Sequence, residues 1–96
     1  MLIEIDVFGL RAKVDEADFL AADKLVQTEL CYQQAGFIRR TTARSVDGRW
    51  LVLSLFSDAA SAEATADILA SSPIAAALRS SIDATSRSVT RFDSLD

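Results

Sequence analysis

Residues 37–56 read FIRRTTARSVDGRWLVLSLF, and this stretch decides the fold. Asp47-Gly48 is a strong short-range hairpin signal, because a tight two-residue turn needs residues that tolerate positive φ. It divides the stretch into two strands, 37–45 and 49–57. A two-residue turn sets the register. Val46 then faces Arg49, Ala43 faces Val52, Thr41 faces Ser54 and Arg39 faces Phe56. The other side places Arg44 by Leu51, Thr42 by Leu53 and Arg40 by Leu55. The second strand is apolar on both sides, with Leu51, Leu53 and Leu55 opposite Trp50, Val52 and Phe56.

Upstream, residues 2–10 alternate at a strand period, with Ile3, Ile5 and Val7 on one side and Leu2, Glu4, Asp6 and Phe8 on the other. Asp15 fits a helix N-cap, with Glu16 and Asp18 at the positive end of the dipole and Val14 placed to staple onto Phe19. Phe19, Ala22, Val26 and Leu30 continue at helical spacing, and Gly36 suits the position after the helix. The helix is predicted over 16–35, with Phe37 against Tyr32 beyond it. Downstream, Ser57 or Asp58 caps a small-residue helix over 59–71 with an Ala60, Ala64 and Ile68 stripe. Pro73 opens a short helix through Leu78, and residues 84–92 read as an edge strand. The order βαββαβ gives one α+β domain over residues 1–96, a ferredoxin-like sandwich with an antiparallel sheet. Its central strands are the first and third.

A two-layer sandwich shields one sheet face only, so a strand apolar on both sides needs a second cover. Nothing of the chain is left over for it, and a second copy of the same sheet is the simplest candidate. The aliphatic face, Ile3, Ile5, Val7, Leu51, Leu53 and Leu55, therefore predicts a homodimer. The opposite face mixes Phe8, Trp50, Val52 and Phe56 with Asp6, Arg39 and Thr41, which is the character of a small-molecule pocket.

Composition removes several function classes. A net charge of −4 argues against a phosphate-backbone partner. No histidine is present, which excludes His-ligated haem, His-based zinc sites and Ser-His or Cys-His nucleophile pairs. Cys31 is the single cysteine, so no internal disulfide forms and a reducing compartment, the cytoplasm, is expected. It reads as a small apolar helix residue rather than a reactive thiol. No signal-peptide pattern and no membrane-length apolar run appears, so neither export nor membrane insertion is expected.

The runs Phe19-Leu20-Ala21-Ala22-Asp23, Gln34-Ala35-Gly36-Phe37-Ile38-Arg39-Arg40 and Asp47-Gly48-Arg49-Trp50-Leu51-Val52 resemble the antibiotic biosynthesis monooxygenase-like family. So do the closing Ile82-Asp83, Ser88-Val89 and Arg91-Phe92. The resemblance covers nearly the whole chain. It implies a dimeric α/β barrel in which two sheets pack face to face, with pockets between each sheet and its helices. Some members oxygenate phenolic small molecules with neither metal nor flavin, and others degrade haem. The haem degraders use an Asn on the first strand, a Trp ending the third and a His on the late helix. Those positions here resemble Asp6, Phe56 and Leu78, and the missing His speaks against haem. The quinone-forming members carry an Asn and a Trp on the third strand, where this chain has Val52 and Phe56.

Asp6 has two readings: a desolvated general base, or a carboxylate paired with Arg39 or wetted at the sheet's end. Arg39 either steadies a phenolate or carboxylate ligand or reaches solvent from an edge strand. Trp50 and Phe56 stack on an aromatic ligand or serve as core beneath the long helix. Phe8, Thr41, Val52 and Leu78 complete the expected binding wall, and no cofactor is expected. Function divides between a cofactor-independent monooxygenase of aromatic or quinol-like molecules, a small-ligand-binding protein without chemistry, and a purely structural dimer.

Overall fold

In the computed structural model, which describes residues 1–96, strand alternation and helix caps account for the order of the elements. β1 runs Leu2–Phe8, α1 Glu16–Glu29, β2 Phe37–Arg44, β3 Trp50–Phe56, α2 Ala59–Ser71, α3 Ala76–Ser81 and β4 Ser88–Asp93. The Asp15 carboxylate accepts from the Ala17 amide at 2.7 Å, and Asp58 accepts from the Ser61 amide at 2.8 Å, so both long helices start where the sequence predicts. The sheet order is β2-β3-β1-β4, with every neighbouring pair antiparallel. β1 and β3 are central and β4 lies at an edge, as expected for the ferredoxin-like arrangement.

Burial along β3 alternates strictly: Trp50, Val52, Ser54 and Phe56 are buried, while Leu51, Leu53 and Leu55 are only half-buried. All the helices therefore cover one face. The core joins Phe8, Phe19, Val26, Leu30, Trp50 and Val52, with the Phe19 ring 4.8 Å from Trp50 and 5.8 Å from Phe8. No helix is long and apolar enough to cross a membrane.

The hairpin register differs from the expected one by a residue. Arg44 faces Trp50, Thr42 faces Val52, Arg40 faces Ser54 and Thr41 faces Leu53. The reason lies in the turn. Gly48 has φ +88° but Asp47 does not adopt positive φ, so the double left-handed turn is not formed. Instead Ser45 and Arg49 pair across a longer connection, with the Ser45 amide donating to the Arg49 carbonyl at 2.7 Å and the Ser45 hydroxyl accepting from the Arg49 amide at 3.0 Å. One added residue swaps every β2 side chain to the other face. Arg40 and Thr42 look toward the helices, and Arg39 and Thr41 lie on the open face. An irregularity between Phe37 and Arg39 returns Phe37 to the helix side, where its ring stands 5.2 Å from Phe56.

Two other boundaries and one helix face differ from expectation. α1 stops at Glu29 because Leu30 takes φ −120°, and a 3-10 turn, Cys31–Gln33, drops Cys31 into the core. Tyr32 then packs edge-on against Phe37 at 5.1 Å, the contact expected from sequence. On α2 the inner face carries Ala62 and Thr65, while Ala60 and Ala64 are exposed. An apolar count misses this because Thr65 hides its hydroxyl by donating to the Ser61 carbonyl at 2.9 Å. β4 begins at Ser88, since Asp83 caps a 3-10 turn over Ala84–Ser86.

Gly36 holds the junction between α1 and the sheet with φ +79°, and its carbonyl accepts from the Ser57 amide at 2.8 Å. A Cβ there would sit 2.0 Å from the Ser61 hydroxyl and 2.6 Å from that of Ser57. Left-handed strain and crowding together predict that Gly36→Ala lowers stability by about 2–4 kcal/mol in urea unfolding. An unchanged midpoint would show that the junction yields freely.

Candidate functional site

Between the helix-covered sheet face and the helices lies a cavity of about 550 Å³. Its floor follows from strand alternation: β1 contributes Glu4, Asp6 and Phe8, and β3 contributes Val52, Ser54 and Phe56. Its roof is α2, whose Ala62, Ala66 and Ala70 have side chains too short to fill the space over the sheet. Leu69, Leu78 and Ile82 close the apolar wall.

Charged groups cross this apolar chamber in ordered rows. Arg40, Ser54, Glu4 and Arg91 stand opposite one another across the four strands. Arg91 bonds Glu4 at 2.9 Å and also reaches Glu63 of α2. Asp6 is gripped by Arg87 through Nε at 3.1 and 3.2 Å and Nη2 at 2.9 Å. Those hydrogen bonds push the Arg87 guanidinium up from its ordinary range against the opposing effect of burial. At the mouth, Arg79 donates to the Leu69 and Ser72 carbonyls at 2.8 and 2.7 Å, and Arg11 to the Ile82 carbonyl at 3.1 Å.

The deepest charges are Asp23 and Arg40, whose side chains keep only 3 % and 6 % exposure. Asp23 Oδ2 accepts from the Thr42 hydroxyl at 2.7 Å and from Gln27 Nε2 at 3.0 Å. Arg40 Nη1 comes within 2.6 Å of Asp23 Oδ1. This is a close ion pair, and neither of the two atoms has any other polar partner. Cys31 adjoins the pair; burial pushes its thiol up, with Arg40 pulling down and Asp23 adding a smaller push upward. A thiol so held is inert.

Of the residues expected from sequence, Asp6, Phe8, Val52, Phe56 and Leu78 line the cavity. Trp50 is core beneath α1 rather than cavity wall, with the Arg44 guanidinium 5.9 Å from its ring. Arg39 and Thr41 must be corrected. The register puts both on the open face, where they are exposed and away from Asp6. Arg87 is the partner of Asp6, and Arg40 is the arginine of the cavity. Sequence reasoning missed Asp23, Arg40, Cys31 and Arg87 as site residues. One signal for Asp23 was present: a carboxylate in the buried Phe19, Val26 and Leu30 stripe demands a buried cation.

The structure matches SnoaB, a cofactor-independent oxygenase from Streptomyces nogalater, at TM-score 0.79 and 18 % identity, over 99 % of this chain and 93 % of that one. It matches a candidate antibiotic biosynthesis monooxygenase from Nitrosomonas europaea at TM-score 0.76 and 17 % identity, over 100 % of both chains. Another from Caulobacter crescentus matches at TM-score 0.76 and 15 % identity, over 99 % of this chain and 90 % of that one. The chain has their fold. At these identities the likeness speaks of fold alone. No family model matches the sequence, and no curated protein does.

Removing one member of a buried ion pair leaves the other charge uncompensated. Asp23→Ala is expected to destabilise the protein by about 3–5 kcal/mol in chemical denaturation. Asp23→Asn with Arg40→Gln, which removes both charges and keeps the shape, is expected to cost much less. Equal losses in the two variants would show that the charges are not coupled.

Proposed function

We propose that this protein is a homodimeric small-molecule-binding protein whose cavity takes an aromatic phenol- or quinol-like molecule and oxygenates it without a cofactor. The observation that carries the reading is the cavity of about 550 Å³, which is apolar, aromatic on its floor and furnished with a few convergent charges. The fold shared with a cofactor-independent oxygenase supports the chemical half of the reading.

The chemistry suits a chain that brings few catalytic groups. Asp6 takes a proton from the bound phenol, and Arg87, already in contact with Asp6, balances the anion that results. The electron-rich anion gives one electron to dioxygen. The radical pair then closes a C–O bond to a hydroperoxide, and elimination of water leaves a carbonyl. One oxygen atom ends in product and the other in water, with the substrate supplying all the electrons. The cavity's part is to orient the ring against Phe56 and Phe8 and to keep bulk water away.

One observation favours a second reading, in which the cavity binds and carries out no reaction. Asp6 is engaged by Arg87 through several hydrogen bonds, so its oxygens are already occupied by a protein donor. Oxygen uptake with a panel of anthrones and hydroquinones separates the two. Uptake with a roughly 10²–10⁴-fold loss in Asp6→Ala supports catalysis. Thermal stabilisation by the same compounds without uptake supports binding alone, and the absence of both removes the small-molecule reading.

The dimer is proposed on the half-buried row Leu51, Leu53 and Leu55, together with Ile3, Ile5, Val7 and the half-exposed Phe92. Completing the burial of each large aliphatic contributes up to about 1.5–3 kcal/mol. A free, buried Cys31 supports a reducing compartment such as the cytoplasm. Leu53→Asp puts a charge at the centre of the face and is expected to give monomer or aggregate in sedimentation. Wild-type monomer at micromolar concentration would sink the dimer.

A further inference from the structure

Every carboxylate on the sheet floor of the cavity is met by an arginine: Glu4 by Arg91 and Asp6 by Arg87. The reverse does not hold. Arg40 lines the cavity with a side chain 6 % exposed, and its one acidic partner, Asp23, is not part of the wall. A guanidinium carries five donors in a planar fork, and Asp23 meets Arg40 at Nη1 alone, 2.6 Å from Oδ1. Asp23 spends its other oxygen on Thr42 and Gln27. Arg40 is thus held at Nη1 by Asp23, while its other donors make no hydrogen bond to a protein acceptor.

A guanidinium this buried, on a cavity wall and with no hydrogen bond to a protein acceptor beyond its contact with Asp23, favours a ligand that brings one. Two features favour an anion over a neutral group. The wall carries Arg11, Arg40, Arg79 and Arg87 against Glu4, Asp6 and Asp67, and neither Arg11 nor Arg79 has a carboxylate within ion-pair distance. The floor around Arg40 is otherwise Phe37, Phe56, Cys31 and Ser54, which holds little water to screen the charge.

We infer that the cavity's ligand carries a carboxylate, which docks in the fork of Arg40 while its apolar body lies over Phe56 and Val52. Asp23 is a positioning residue that holds the guanidinium still. The inference rests on the proposed small-molecule role and narrows its substrate class to an aromatic, phenol- or quinol-like molecule that also carries a carboxylate.

The test uses 2-naphthoate and its neutral counterpart 2-naphthalenemethanol as probes, titrated calorimetrically against the wild-type protein. Naphthoate is expected to bind roughly tenfold more tightly or better, as a charge-assisted hydrogen bond in a dry site should give. The double variant D23N with R40Q, confirmed folded by circular dichroism, is expected to bind the two probes equally. A crystal of the wild-type protein with naphthoate supplies a readout independent of any variant, with the carboxylate expected on the Arg40 guanidinium. Equal affinities in the wild type, selectivity that survives in the double variant, or a carboxylate seated at Arg79 or Arg87 would each overturn the Arg40 site while leaving the aromatic cavity standing. Failure of both probes to bind would overturn the site and the small-molecule reading together.

Discussion

β3 is apolar on both sides, and the helices reach only one of them. That constraint organises the rest of the molecule. On the covered side, Trp50 and Val52 anchor the packing under α1, and Phe19 wedges between Trp50 and Phe8. On the other side, six aliphatic side chains of β1 and β3 form a continuous strip that no segment of the chain overlies. The helix-covered face therefore carries the cavity and its charges, and the open face keeps an aliphatic strip clear of the helices. Burial and binding are separated by the pleat of a single strand.

Within the covered side, packing is uneven for a reason visible in side-chain size. Under α1 the large residues Phe19, Val26 and Leu30 fill the space to the sheet. Under α2 the facing residues are Ala62, Thr65 and Ala66, and the sheet below carries Glu4, Ser54 and Phe56. Small residues above and polar ones below cannot reach a close-packed contact, and the chamber is what remains. The Asp23–Arg40 pair stands at the seam between these regions, tying α1 to β2. An ion pair in so dry a place is a poor source of stability, since desolvation consumes much of the attraction. Its persistence there makes better sense as a fixed charge presented to the cavity than as a fastening for the fold.

Most of the fold was legible because it rests on period and punctuation. The alternation in β1 and β3 and the caps at Asp15 and Asp58 each specify a local geometry that tertiary contacts left alone, whereas Gly36 takes its positive φ beyond a 3-10 turn and does not end α1. The cavity floor at Asp6, Phe8, Val52 and Phe56 follows from the same alternation. The failures within the sheet trace to one decision about a turn. Asp47-Gly48 permits more than one connection, and the hydrogen bonds of Ser45 with Arg49 select the longer one. A shift of one residue then exchanges Arg39 and Thr41 for Arg40 and Thr42. Composition carried a warning against the expected register, since it left Arg40 beside Leu55 on an aliphatic face while Asp23 was buried without a counter-charge. Counting charges on both faces together with the apolar pattern would have chosen the other register.

The same accounting bears on what the cavity can do. A general base is most effective where its charge is unsupported, and a binding cation where its donors are unspent. Asp6 is supported closely by Arg87, while Arg40 on the cavity wall makes no hydrogen bond to a protein acceptor beyond its contact with Asp23. The strongest unmet demand in the site is therefore for an acceptor and not for a proton. Recognition of an anionic group is written more firmly into this geometry than proton abstraction. Whatever reaction occurs must draw its reactivity mainly from the bound molecule, held against Phe56 and Val52 by a charge that the fold has already paid to bury.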